Sequence, residues 1–512
     1  MVHIFALVIA LGALGRATAK PPETTQSLCC QHLSKSLPSI YLAPNSTEYD
    51  KSIRERWSGT AILHPGCVIA PTSTNEVSQA VKIIVKNKCQ FSVKSGGHNA
   101  NPGSNSIDRG VSIDLSKLNT VVLSADRSHV RLGSGATWGL AYDTLVNENI
   151  GFPGGVCGEV GVGGPSLGGG QSIFQARKGW IVDNILNYEV VLASGEIVNA
   201  NQTSLPDLFK ALKGGNTNFG IMTHADVASF DFDGVWIGTN YVAINGLAAP
   251  RAVMLDKLTR AMVNLVSGSN EEKETLVQLL VLYPSGPLGF LAHVAGIGLT
   301  NAANVANPPA AEEFLALPNR ISFQSEHSNM SAYAHHNTQL LPSGARESNA
   351  GITITNDFAT MRELWDEYDK IYDALPYKTE VDWIIQFLPQ PKIQQSYAKG
   401  RGGNSLGLDH IDKDQIEIWF QPRWRDAALD DMMKNAQQKF VAISEKVAKK
   451  HGTYSPFMYI SYAAPHQQPL CGYGAESLAF LKKTATKYDP DGIFQTMMPG
   501  GFKLSKANCT TD

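Results

Sequence analysis

The richest concentration of potential chemistry in this 512-residue chain is GFPGGVCGEVGVGGPSLGGG at 151–170. Glycine at this density lets backbone amides approach a ligand unhindered, and successive amides form concavities for phosphate oxygens. A diphosphate is the guest such a run suits. The spacing matches neither G-x-x-x-x-G-K-[S/T] nor G-x-G-x-x-G, so a P-loop and a Rossmann dinucleotide site are both excluded. Gly164-Pro165-Ser166-Leu167-Gly168 does fit the G-x-S-x-G elbow of serine hydrolases. An elbow needs a helix directly after its serine, and the glycines at 168–170 disfavour one. A second glycine turn, Ser95-Gly96-Gly97-His98-Asn99, carries a lone histidine, and the run itself contains Cys157. No C-x-x-C pair or H-E-x-x-H helix occurs, and the adjacent His335 and His336 cannot face one ion, so no metal is expected and both read as surface residues.

Periodicity supplies the elements that must hold these residues. Ser73-Thr74-Asn75-Glu76 is a capping box, and Val77, Ala80, Val81, Ile84 and Val85 continue it at helical spacing. Alternating Phe91 and Val93 mark a strand over 89–94 that ends abruptly at the glycine turn. Strands at 111–114 and 129–132, a helix over 138–149 and a hairpin around Ser194-Gly195 follow. Beyond about Phe232 the glycine loops thin out. Helical segments at 250–266, 357–375 and 425–450 then alternate with strand-like runs at 380–387 and 415–420. The last stretch, 454–504, mixes aromatic strand patterns with a helix around 475–487 and reads as a return to the first part. The fold class is α+β, without a fixed-period repeat.

Forty-three basic against 46 acidic residues give a net charge of −3, too balanced for a nucleic-acid partner. A 43% hydrophobic and 17% charged composition excludes a disordered or coiled-coil chain. The apolar run at 4–14, followed by Ala17-Thr18-Ala19, has the form of a secretory signal peptide cleaved after Ala19. No later stretch reaches the roughly 18 apolar residues of a membrane span, so a secreted protein without a membrane partner is expected. Sequons begin at Asn45, Asn201, Asn329 and Asn508. Seven cysteines are an odd number, which leaves one outside the disulfides of an oxidising compartment.

Lys94 to Asn99, Gly155 to Gly164, the triplet at 168–170, Asp183-Asn184, Leu212 to Gly220 and Tyr488 to Gln495 together resemble the vanillyl-alcohol oxidase / p-cresol methylhydroxylase superfamily. The order and the closing motif resemble its berberine-bridge-enzyme-like branch, in the secreted fungal form, from about 30 to 504. The resemblance implies a two-part FAD-binding domain of the PCMH type and a substrate domain of antiparallel sheet backed by helices. The division it implies is a signal peptide at 1–19, the FAD domain at 20–232 with its core at about 61–232, the substrate domain at 233–453, and a returning segment at 454–512. It places His98 at the flavin 8α-methyl and Cys157 at flavin carbon 6, which would account for the odd cysteine. Ser95, Gly96, Gly97, Asn99, Gly161, Val162, Gly163, Gly164, Gly168, Gly220 and Ile221 match FAD contacts, and Val160 lies beside the oxygen-reactive face.

For proton handling the resemblance points to Tyr459 and Tyr462, on a strand, with Gln386 and 419–421 opposite. Ser461 stands where relatives carry asparagine, and Lys178 where they carry tyrosine, so a desolvated Lys178 is a third candidate base. Cys30–Cys67 is the preferred disulfide by the same resemblance, with Cys29 an equally permitted partner. The expected activity is that of a secreted, monomeric FAD-dependent oxidase. It would transfer a hydride from an alcohol, sugar or secondary metabolite to covalent flavin, with molecular oxygen reduced to hydrogen peroxide. A serine hydrolase using Ser166 and a catalytically silent flavoprotein are the alternatives.

Overall fold

We describe the protein from a computed structural model covering residues 25–286, 293–340 and 342–509; the expected signal peptide at 1–19 lies outside the described residues. The glycine turn at 95–99 springs from a small sheet ordered Tyr41–Leu42, Cys67–Ile69, Val111–Asp114 and Phe91–Lys94, whose last three strands run parallel. Helix Thr74–Lys86 covers it with Val77, Ala80, Val81 and Ile84, which pack with Ile69, Phe91, Val111 and Ile113. Its cap is a shifted version of the box. The Ser73 hydroxyl accepts from Glu76 N at 3.3 Å, while the Glu76 carboxylate accepts from Thr72 N at 2.6 Å.

Buried Lys94 and Asp114, 3.0 Å apart, tie the ends of neighbouring strands just before the turn. Disulfides Cys30–Cys67 and Cys29–Cys89 anchor helix Thr25–Ser36 to this layer, and the first is the expected pair. Each closes a loop long enough to stabilise the fold by about 4 kcal/mol on chain-entropy grounds.

Among the described residues, a second, antiparallel sheet is ordered Val121–Leu123, His129–Gly133, Ile221–Ala228, Ile185–Val191 and Ile197–Asn201. The last pair is the hairpin around Gly195, whose φ of 79° suits the turn. The helix expected over 138–149 stops at Thr144, where the Thr144 hydroxyl turns back to Leu140 O at 2.7 Å.

The large antiparallel sheet runs Arg320–Ser328, Val235–Ala243, Val294–Asn301, Thr275–Tyr283, Val381–Gln390, Gln415–Phe420, Ala350–Thr355 and Tyr454–Ser455. Its two faces separate with period 2. Val277, Leu279, Val281, Trp383, Ile385, Phe387, Ile416, Ile418 and Phe420 face helices Arg251–Gly268, Phe358–Asp373 and Asp430–His451 in one core. The intervening residues face the first part of the chain. The fold is thus α+β, with two smaller sheets that carry the glycine loops joined to a large antiparallel sheet backed by helices.

The closing segment returns to the first part. Phe457, Ile460, Tyr473 and Leu481 share a core with Leu208, Phe209 and Leu212, Tyr473 OH donates to Gly214 O at 3.1 Å, and Cys471–Cys509 pins the end. One expectation is corrected here: 459–462 is a turn, closed by Tyr462 N donating to Tyr459 O at 3.0 Å, and not a strand.

Candidate active site

Between the glycine loops and the large sheet lies a cavity of about 610 Å³. The glycine side is made where two loops meet backbone to backbone. A Cβ on Gly96 would come within 2.4 Å of Gly161 N, and one on Gly161 within 2.3 Å of Gly96 N. Only glycine permits that approach. Ser95 locks the junction, its hydroxyl donating to Ser134 O at 2.5 Å and accepting from Gly163 N at 3.2 Å. Gly97, with φ of 72°, turns the chain so that His98 follows into the cavity wall.

His98 stacks on Trp57 with ring centroids 4.6 Å apart, and its Nε2 is buried with no hydrogen-bond partner among the described residues. Burial pulls its pKa down to about 4, so the imidazole is neutral and nucleophilic at pH 7. Cys157 lines the same cavity as the cysteine left outside the disulfides, its Sγ 3.6 Å from Thr338 Oγ1. Asn99, Val160, Gly163, Gly164, Gly220 and Ile221 also line it, and open space lies where a Gly164 side chain would point. Val162 and Gly168 do not. Val162 is core, and Gly168 packs behind, where a Cβ would sit 3.0 Å from Ile460 and 3.1 Å from Ser461.

The opposite wall is the sheet face left over by the period-2 pattern: Ile237, Thr239 and Tyr241, then Gln278, Leu280 and Leu282, then Ile384 and Gln386, then Trp419 and Gln421. Gly296 and Gly298 form its floor, their strand lying between Val235–Ala243 and Thr275–Tyr283. Gln386 Nε2 donates to Gln421 Oε1 at 2.7 Å. Trp419 stacks on Tyr462, centroids 3.8 Å apart and rings 4° from parallel. Tyr459 meets Tyr462 edge-on, and its hydroxyl accepts from Gly170 N at 2.9 Å. Burial pushes Tyr459 up to about 12 and Tyr462 well above its ordinary value, so both phenols stay protonated.

Lys178 does not belong to this group. It is absent from the cavity lining, its ammonium lies 4.5 Å from the Phe230 ring centroid, and its carbonyl accepts from Arg401 Nη1 and Asn184 Nδ2. Burial and the nearby Arg177 and Arg401 lower its pKa, but the geometry withdraws it as a base at the site. Ser166 is likewise no nucleophile. It lies inside helix Gly163–Gly168, buried, with no base bonded to its hydroxyl among the described residues. The adjacent histidines part company: His335 pairs with Asp143 at the surface, whereas His336 lines the cavity with Nε2 3.4 Å from Thr239 Oγ1, correcting its reading as a surface residue.

Several lining groups carried no motif. Trp57, Gln171, the helix Met330–Leu340 and the segment containing Met498, Gly501 and Phe502 reach the cavity only through tertiary packing. Gln171 Nε2 donates to buried Glu417 Oε2 at 2.6 Å, and Gln390 Nε2 donates to the same oxygen at 2.9 Å. Burial pushes Glu417 up to about 8, making it a neutral acid behind the tyrosines at pH 7. The alternation Ile416, Ile418, Phe420 was the available signal for it, since it turns Glu417 to the opposite face. Among the described residues no cluster of His, Cys, Asp and Glu could hold a metal ion, and no helix is long and apolar enough to cross a membrane.

Residues 65–201 match the FAD binding domain family. The chain is 30% identical over 506 residues to the FAD-dependent monooxygenase sdcF of Emericella nidulans, covering 94% of this chain and 100% of that protein. In structure it resembles the glucooligosaccharide oxidase of Acremonium strictum, described with a 6-S-cysteinyl, 8α-N1-histidyl FAD, at 18% identity and a TM-score of 0.74 over 94% of this chain and 99% of that one. It also resembles Physcomitrella patens BBE-like 1, at 20% identity and a TM-score of 0.72 over 93% and 98% of the two chains. The site fits FAD on its own terms as well, with backbone amides crowded where side chains are sterically excluded and a buried, unpartnered imidazole nitrogen at the wall. With a full-length relative at this identity and a cavity built for the cofactor, the chain belongs to the FAD-dependent oxidoreductases that carry this FAD binding domain, and its fold is the one seen in the BBE-like protein.

Proposed function

We propose that the protein is a secreted oxidase of small organic molecules, with FAD attached through His98 and Cys157 and oxygen as the electron acceptor. The observation that carries this is the placement of a neutral imidazole, its Nε2 without a partner among the described residues, and the unbridged thiol on one cavity lined by the glycine cradle. In this reading residues 20–232 hold the cofactor, 233–453 present the substrate, and 454–512 close the site. Ser95, Gly96, Gly97, Asn99, Gly161, Gly163, Gly164, Gly220 and Ile221 hold FAD, with Val162 and Gly168 supporting from behind.

When bound, the flavin supplies a two-electron acceptor for a hydride leaving a substrate carbon. Tyr462 orients the substrate oxygen, because its hydroxyl has no protein partner among the described residues while that of Tyr459 already accepts from Gly170 N. Tyr459 fixes the ring of Tyr462 edge-on. The sheet wall holds the rest of the substrate over the glycine floor.

Acid precipitation of purified protein tests the attachment: the yellow colour stays with the polypeptide, and His98→Ala loses one link. Release of all flavin from native protein in acid defeats both attachments at once. The name of the 30%-identical relative supports a second reading, in which one oxygen atom enters the product. Oxygen uptake and peroxide release, measured across sugars, alcohols and aromatic metabolites, decide between them. One peroxide per oxygen supports the oxidase, whereas label from ¹⁸O₂ in the product supports the monooxygenase.

A further inference from the structure

We propose that Thr338 is a positioning residue for Cys157, orienting its thiol and then stabilising the sulfur anion that bonds to flavin carbon 6. The inference rests on Cys157 being the second attachment point, as in the reading above. Helix Met330–Leu340 is clamped on the 156–158 loop from both sides of the sulfur. Asn337 Nδ2 donates to Val156 O at 2.8 Å, and Gly158 N donates to Ala334 O at 3.0 Å. Gly158 makes the approach possible, for a Cβ there would stand 3.1 Å from Thr338 Oγ1 and 3.3 Å from Ala334 O. Between these ties Cys157 Sγ lies 3.6 Å from Thr338 Oγ1.

The hydroxyl can serve both states of the sulfur. Thr338 Oγ1 donates to Ala334 O at 3.1 Å, which leaves a lone pair to accept from the thiol S–H. Once that proton has gone to water, rotation of the single O–H turns the same group into a donor to the thiolate. Burial pushes the thiol up, and the amides of Glu159 and Val160 act against burial together with the hydroxyl. Valine has the shape of threonine and can do none of this.

The bond-forming step balances with oxygen as oxidant. The sulfur electron pair forms the bond to carbon 6, the hydrogen displaced from that carbon leaves as a proton, and the ring keeps the two electrons. Oxygen then takes those two electrons and two protons as hydrogen peroxide. In sum, one thiol hydrogen and one ring hydrogen are exchanged for one C–S bond.

The test is peptide mass spectrometry of acid-denatured holoprotein. In the native sequence one flavin cross-links the His98 and Cys157 peptides. In Thr338→Val the flavin stays on the His98 peptide while the cross-link to Cys157 falls at least about tenfold, the factor that roughly 1.4 kcal/mol on the attachment barrier would give. Thr338→Ser restores it. A cross-link of native yield in the valine variant, or no restoration by serine, overturns the proposal. Should the valine protein not fold, Thr338→Ser and Thr338→Ala decide the same question, and equal cross-linking in those two overturns it. Absence of any flavin on Cys157 in the native protein is a different failure, since it removes the attachment itself.

Discussion

The glycine wall of the cavity is made of backbone, whereas the wall facing it is made of side chains standing on a sheet. In the first, Gly96 and Gly161 are in main-chain contact and nothing larger can replace either. In the second, Gly298 forms the floor, and a Cβ there would meet only Gln278 O at 3.8 Å and Gln278 Cβ at 4.0 Å. The same residue type therefore does opposite things. One wall uses glycine to let two backbone segments touch, and the other uses it to leave room. A cofactor common to many proteins suits the rigid, backbone-built wall, while a wall whose side chains can change without moving the main chain suits substrate selection.

The most severe way to break this comparison is a pair of substitutions. Gly161→Val drives a side chain into the Gly96 backbone, and a displacement costing about 1–3 kcal/mol lowers flavin occupancy roughly 10- to 100-fold. The purified variant is expected to be colourless or unfolded. Gly298→Leu is expected to keep full flavin absorbance and to raise KM by roughly tenfold or more for substrates that reach the floor, since filling a pocket changes discrimination by about 1–3 kcal/mol. Flavin content measured at 450 nm, set beside steady-state KM, separates the two. Should Gly298→Leu also shed its flavin, the walls are not independent and the division of labour is wrong.

The same contrast explains what was legible in the sequence. The glycine wall is local: 95–99 and 155–164 are short, contiguous and unusual, so their residues could be named before any tertiary information. The sheet wall is gathered from positions spread between Ile237 and Gln421, two apart on each strand, and only register brings them together. Alternation at 380–387 and 415–420 gave those strands, but not which face met the cofactor. Tyr459 and Tyr462 do line the cavity, yet the aromatic spacing that suggested a strand belongs to a turn closed by Tyr462 N donating to Tyr459 O. Lys178 failed for a related reason. Its position along the chain was informative, but its side chain points to Phe230, and direction is a tertiary property. Glu417 was missed although alternation placed it on the opposite face, because an acidic residue in an alternating strand reads as solvated, and its bonds to Gln171 and Gln390 show that it is covered.

The finest test lies at Val160, on the rim of the glycine wall. Its backbone is fixed, with the carbonyl accepting from Trp138 N at 3.0 Å and the amide donating to Cys157 O at 3.2 Å, so a substitution alters the side chain and leaves the loop in place. That side chain is partly buried and lines the cavity on its glycine side. Val160→Leu adds one methylene where oxygen must pass. Reoxidation of reduced enzyme by oxygen is expected to slow by roughly tenfold or less, the effect of up to about 1.4 kcal/mol on that barrier, while reduction by substrate stays nearly unchanged. Stopped-flow measurement of the two half-reactions reads each separately. Equal losses in both would place Val160 in the shared packing of the cavity, and an unchanged oxidative rate would mean that oxygen reaches the flavin from another side. The two results sharpen the comparison differently: an unchanged oxidative rate would separate holding the cofactor from governing its oxygen reaction, and equal losses would couple the two walls at this position.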